Sequence, residues 1–158
     1  MSDINIGLAD KSRVGAIEVL SAVLADEYVL YTKTRNFHWN VTGEGFSELH
    51  KFFESQYDTI DETIDEVAER IRALGGASAG SLAEFLKAAR LKEAPGRKRD
   101  GMSMVKELLA DHEALARTLR KDVDTTGAKL GDAGTSDFLT GLLEQHEKAA
   151  WMLRAYLE

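Results

Sequence analysis

Residues 45–76 read GFSELHKFFESQYDTIDETIDEVAERIRALGG, and this stretch decides the fold. Phe46, Leu49, Phe53, Tyr57, Ile60, Ile64, Val67, Ile71 and Leu74 recur at alternating steps of three and four, the period of an amphipathic helix and not of a strand. Gly75 and Gly76 end it. At 100° per residue from His50, Phe46, Phe53, Tyr57, Ile60, Ile64, Val67 and Ile71 fall between about 260° and 340°. A second stripe lies beside it at about 0° to 100°: His50, Glu54, Asp58, Asp61, Asp65 and Glu69. Like charges four residues apart on a helix repel by about 0.2–0.5 kcal/mol, so a merely solvated face would be poorly arranged this way.

The stripe has a symmetry. The pairs 50/69, 54/65 and 58/61 share one midpoint between Thr59 and Ile60, so two copies crossing antiparallel there would be matched. His50 and Glu54 of one copy would face Glu69 and Asp65 of the other. Within one chain His50 and Asp65 are 15 residues apart, about 22 Å along a helix, too far to share a small metal centre. A site using both therefore requires a dimer. Carboxylates packed at such an interface are costly unless a cation neutralises them.

Outward from this segment the chain stays helical, rich in Ala and Leu with Pro95 its sole proline. Long helices are expected over about 10–37, 45–74, 102–124 and 136–157. In the first, Val14, Ile17, Leu20, Leu24, Tyr28 and Tyr31 carry the repeat; in the last, Thr135 and Asp137 supply an N-terminal acceptor and an acid. Ser81 to Glu84 has capping-box spacing and should open a short helix to about residue 89. The expected fold is all-α: a ferritin-like four-helix bundle whose long second connection, with the short helix in it, crosses the bundle lengthwise if the second and third helices run parallel. One domain over 1–158, with a short tail over 1–9, accounts for the length.

The 158 residues contain no cysteine, which excludes disulfide scaffolds, Cys-rich zinc modules and thiol enzymes. No signal peptide or transmembrane run is present, so a soluble, cytoplasmic protein without a membrane partner is expected. The net charge is −7, and residues 44–74 alone hold 9 acids and 3 bases, six of the seven charges. Asn36-Phe-His38-Trp39-Asn40 at the end of the first helix adds a second histidine, twelve residues before His50. Imidazole with carboxylate suits Fe(II), Mn(II) or Zn(II). His112 and His146 read as structural histidines on core faces.

These residues resemble the Dps family, the mini-ferritins of bacteria and archaea, over essentially the whole chain. Two motifs carry the resemblance, Phe37-His-Trp-Asn-Val-Thr-Gly-Glu-Gly-Phe-Ser-Glu-Leu-His50 and Asp65-Glu-Val-Ala-Glu69-Arg-Ile-Arg-Ala-Leu-Gly-Gly76. The resemblance implies ferroxidase ligands His38, His50 and Glu54 from one subunit and Asp65 and Glu69 from its two-fold mate, around a mono- or di-iron centre. Glu54 departs from the aspartate commoner at its position. Trp39 matches a tryptophan that supplies electrons near the site. The resemblance further implies a twelve-subunit shell that oxidises Fe(II) with hydrogen peroxide, or dioxygen, and stores ferric mineral. Asp132 and Asp137 match acidic pore positions, with helix capping as the other reading, and Asp58, Asp61 and Glu62 suit mineral nucleation. The chain contains no Glu-x-x-His, the motif of an intra-bundle di-iron site.

Two other readings stand beside this one. A DNA-coating nucleoid protein would need basic surface, but residues 1–10 hold two acids and no Lys or Arg; the basic candidates are Arg97-Lys98-Arg99 with Arg90 and Lys92. A zinc-bridged dimer without turnover uses the same ligands, since Zn(II) substitutes for iron.

Overall fold

The computed structural model describes residues 4–96 and 100–158. Among these the elements are all helical: α1 (Asp10–Asn40), α2 (Phe46–Ala73), α3 (Leu82–Ala88), α4 (Gly101–Asp124) and α5 (Ala133–Ala155), with a π-helical turn at Thr125–Lys129. The four long helices make the bundle expected from the repeat, and their direction follows from the core. At one end Leu20 of α1 meets Val67 and Ile71 of α2, Leu119 of α4 and Leu139 of α5; at the other, Phe37 meets Leu49, Phe53, Val105, Leu108 and Leu153. Thus α1 and α5 run one way, α2 and α4 the other. Because α2 and α4 are parallel, the chain between them must return the length of the bundle.

That return is pinned. Ser81 and Glu84 form the reciprocal capping box that opens α3, and Phe85 stacks on Tyr28 of α1 at 4.2 Å between centroids. Asp26, fully buried on α1, accepts hydrogen bonds from the backbone N–H of Arg90 (2.5 Å) and Leu91 (2.9 Å) and pairs with the Arg90 guanidinium at 2.7 Å. Arg90 also reaches Asp122 of α4 at 2.9 Å. It is therefore a structural clamp rather than a free phosphate contact. Arg97, Lys98 and Arg99 lie outside the described residues. At the end of the return, a Cβ on Gly101 would sit 2.6 Å from Leu49 Cδ1, so a glycine there lets α4 start hard against α2.

Three expectations need correction. The last helix begins at Ala133, capped by Asp132, whose carboxylate accepts from Thr135 N–H at 3.0 Å; Thr135 lies inside the first turn and is not the cap. The π-helical turn before it went unread, because its i to i+5 bond from Leu130 N–H to Thr125 C=O inserts a residue that apolar spacing does not mark. On α2 the core face is rotated from the expected stripe: Phe52, Gln56 and Thr63 are buried, while Phe46 is 46% exposed. Val14 of α1 is exposed too. No described helix is long and apolar enough to cross a membrane.

Candidate metal centre

His38 sits in the last turn of α1, which runs to Asn40 and so carries the histidine on a rigid helix rather than in the following loop. The two left-handed glycines Gly43 (φ 88°) and Gly45 (φ 72°) let the chain reverse in five residues, and His50 follows in the second turn of α2. The reversal brings the rings together, stacked with centroids 3.8 Å apart. Each histidine is held by the other's backbone. Nδ1 of His38 donates to the carbonyl of His50 at 2.8 Å, and Nδ1 of His50 donates to the carbonyl of His38 at 2.9 Å.

A carbonyl oxygen only accepts, so both Nδ1 atoms carry the proton and each neutral ring keeps its lone pair at Nε2. This is how metal-binding imidazoles are usually fixed, with the second ring nitrogen spent on a backbone or carboxylate partner. His38 is buried and His50 half-buried, with Phe46 tilted over the His50 ring at 5.2 Å. Glu54, Asp58, Asp61, Asp65 and Glu69 are all exposed along the same side of α2. One protomer does not gather them: among the described residues no group of three or more His, Asp or Glu is close enough to hold a metal ion. The donor types fit a first-row divalent cation.

The ring edge-on to His38 is Tyr57, at 5.2 Å and 76°, and Tyr57 meets Tyr31 at 6.1 Å. Burial pushes the Tyr57 phenol up from its ordinary value, and the Glu54 and Asp58 carboxylates add to that while Arg35 opposes it. Arg35 lies over Tyr57 (4.8 Å), Trp39 (5.2 Å) and Tyr31 (5.4 Å), and donates to the Tyr31 hydroxyl at 2.5 Å. Trp39 itself is 66% exposed. Near the other end of α2, Asp132 is buried by its capping role and by Arg70 at 3.4 Å, whereas Asp137 is exposed one turn into α5.

A second polar cluster was missed. Glu27 stands on the buried face of α1, its Oε1 accepting from Nε2 of His146 at 2.7 Å, and His146 is bonded through Nδ1 to Nδ1 of His112 at 2.9 Å. All three are buried. Burial, with His146 beside it, holds His112 well below the ordinary imidazole value and therefore neutral. The signal was there: an acid placed among Leu20, Val23, Leu24 and Leu30, where the repeat asks for apolar residues. The groups are strung end to end beside a cavity of about 300 Å³ that Gln56 also lines, and they do not converge on one point as metal ligands must.

Known proteins agree with this architecture. A family model described as a ferritin-like domain matches residues 17–158. The chain is 49% identical, over all of its 158 residues and 88% of the relative, to an uncharacterized low temperature-induced protein of Nostoc sp.. It is 42% identical over 142 residues to the DNA protection during starvation protein 2 of Bacillus anthracis, covering 89% of this chain and 95% of that one. The crystal structure of the Dps protein of Vibrio cholerae O1, described as a member of a broad superfamily of ferritin-like diiron-carboxylate proteins, superposes with a TM-score of 0.92 at 35% identity, covering 100% of this chain and 98% of that one. With its helices, its crossing connection and its paired histidines all accounted for, the chain belongs to the ferritin-like superfamily and, within it, to the Dps family.

Proposed function

We propose that the protein is a ferroxidase and iron store, one domain over 1–158 that assembles through two-fold dimers into a closed shell, twelve subunits in the family's manner. The observation that carries this is the His38–His50 pair: two rings whose Nδ1 protons are spent on backbone carbonyls, leaving two Nε2 lone pairs beside an exposed acidic face. Fe(II) is the substrate. His38, His50 and Glu54 of one subunit receive it together with Asp65 and Glu69 of the mate. The imidazoles hold the incoming ion, and the carboxylates favour the higher charge of Fe(III) over Fe(II). No nucleophile or covalent intermediate is required.

Hydrogen peroxide is the proposed oxidant, with dioxygen as the alternative; joint removal of iron and peroxide would limit oxidative damage. Asp137 is the exposed acid available to line an iron-admitting pore, with Asp132 fixing the turn before it, and Asp58, Asp61 and Glu62 offer exposed carboxylates for nucleating mineral. Zn(II) would occupy the same ligands without turnover. DNA coating is not favoured, since Arg90 is engaged by Asp26 and Asp122. A cytoplasmic location accords with this chemistry.

The test is complementation. Anaerobic Fe(II) loading followed by peroxide should be strongly slowed in His38→Ala and in Asp65→Ala. When subunits of the two variants are mixed and reassembled, each mixed dimer has one site lacking both sets of ligands and one keeping both. Partial recovery is expected; unchanged oxidation in both single variants would sink the assignment, and no recovery on proven mixing would sink its intersubunit character.

A further inference from the structure

The cavity of about 300 Å³ beside the Glu27–His146–His112 chain is reached by all four long helices: Glu27 from α1, Gln56 from α2, His112 from α4 and His146 from α5. It is not part of the iron face. At 100° per residue from His50, the α2 residues that line it lie between about 140° (Ser55) and 280° (Ile60), whereas the acidic stripe lies at about 0° to 100°. The floor is buried, and Ser55, Thr59 and Lys148 are exposed at the rim.

The floor presents polar atoms that no protein group satisfies. Glu27, 1% exposed, gives Oε1 to His146, but among the described residues its Oε2 has no hydrogen-bond partner, nor have Nε2 of His112 and both amide atoms of Gln56. Burying such atoms unpaired is costly, most of all for a charged oxygen. With one proton on each ring, Nε2 of His146 donates to Glu27, Nδ1 of His112 donates to Nδ1 of His146, and His112 keeps a bare lone pair at Nε2. A carboxylate oxygen, an imidazole nitrogen and an amide oxygen therefore border one cavity, all of them acceptors, with one negative charge among them.

Acceptors around a buried negative charge call for a cation that carries hydrogen-bond donors. A metal ion would need its ligands to converge at about 2 Å from one point, and among the described residues no three His, Asp or Glu do so. An ammonium group reaches separated acceptors instead, because its three N–H bonds diverge. Phe52, Ile60 and Met152 add apolar wall for a short alkyl chain. Lys148 at the rim would repel a second positive charge, which favours a monoamine over a diamine. We propose that the cavity is a binding site for a small primary alkylammonium ion, whose N–H groups donate to Glu27, His112 and Gln56. The site stands apart from the ferroxidase reading and does not depend on it.

The full-length protein is titrated with ethylammonium chloride in a calorimeter and in thermal unfolding, with sodium chloride and tetramethylammonium chloride at equal ionic strength as controls. Saturable binding of one ethylammonium per subunit is expected, with an unfolding midpoint that rises with its concentration. Tetramethylammonium has the same charge but no N–H, and should give neither effect. Glu27→Gln keeps an acceptor for His146 while removing the charge, and should weaken binding about tenfold or more. Gln56→Leu leaves the Glu27–His146–His112 chain intact and should weaken it several-fold, so it decides the matter if Glu27→Gln does not fold. Equal effects of all three salts, or unchanged affinity in Gln56→Leu, would overturn the proposal. Two further variants locate the ion. Asp65→Ala should bind as the wild type does, and loss of binding there would move the ion to the acidic face. Lys148→Met should also retain binding; ethylammonium that binds only in Lys148→Met would show that the chain's own lysine fills the cavity, and no free amine.

Discussion

The bundle contains two histidine pairs, one on α1 and α2, the other on α4 and α5, and they have opposite fates. His38 and His50 each spend Nδ1 on the other's backbone carbonyl and keep Nε2 bare near an exposed acidic stripe. His112 and His146 spend their Nδ1 atoms on each other, and His146 spends Nε2 on Glu27. The residue types are the same. What separates the pair proposed to take iron from a pair that holds a core together is which nitrogens fixed partners consume, and whether carboxylates stand outside or inside the bundle.

The sharpest way to break this contrast is a crossed pair of substitutions. His146→Ala strands the Glu27 carboxylate in the core without its partner, and breaking a buried pair from one side costs about 3–5 kcal/mol. Denaturant unfolding should show that loss, with iron oxidation retained in the protein that remains folded. His38→Ala should do the reverse. Altering even an outer partner of a metal ligand costs about 10–100-fold in affinity or activity, so removing a ligand should slow oxidation at least that much, with a smaller change in the unfolding midpoint. If both variants lose stability equally and oxidation equally, the two pairs are not functionally distinct.

A pH series distinguishes the pairs more gently. His112 is held well below its ordinary value of 6.5 in the folded chain by burial first and His146 second. Its unfolded form therefore binds a proton that the folded form refuses as pH falls below 6.5. Stability is full above that value and is lost below it, by up to about 1.4 kcal/mol per pH unit, until the folded group also titrates. His112→Leu should flatten this slope; an unchanged slope would place the acid sensitivity elsewhere.

The smallest expected effects concern the start of α5. Asp132→Ala removes a buried cap and should cost about 0.5–2 kcal/mol in thermal or chemical unfolding. Asp137→Ala, at an exposed position, should stay within about 0.5 kcal/mol of wild type. If the pore reading holds, it will nevertheless slow iron uptake into the assembled protein. Equal stabilities for the two variants would remove the distinction between cap and lining residue.

Much of this was legible beforehand. The α2 repeat announced a helix because Phe53, Ile60, Val67 and Ile71 can share a buried face only at the helical period, and all four are buried. Ser81 and Glu84 announced α3 through side-chain chemistry confined to four residues. Less visible were features set by distant partners. Phe46 fits the repeat yet is exposed, since the core lies toward Phe52 and Thr63 and no periodicity fixes rotation about a helix axis. Asp26 and Glu27 interrupt an apolar run, but their partners, Arg90 and His146, lie over sixty residues away and are not marked in the chain.

The sequence by itself determined the helices, the long second connection with its short helix, the acidic stripe of α2 and the motifs around His38 and His50. These follow from period, capping and spacing, which are local. Only the tertiary structure decided which ring nitrogens are free, that Tyr57 rather than Trp39 lies edge-on to His38, and that a carboxylate sits inside the bundle against His146. Those depend on hydrogen bonds and ring contacts made across helices, where rotation about a helix axis or one residue of register chooses the partner, and neighbouring residues in the chain carry no record of the choice.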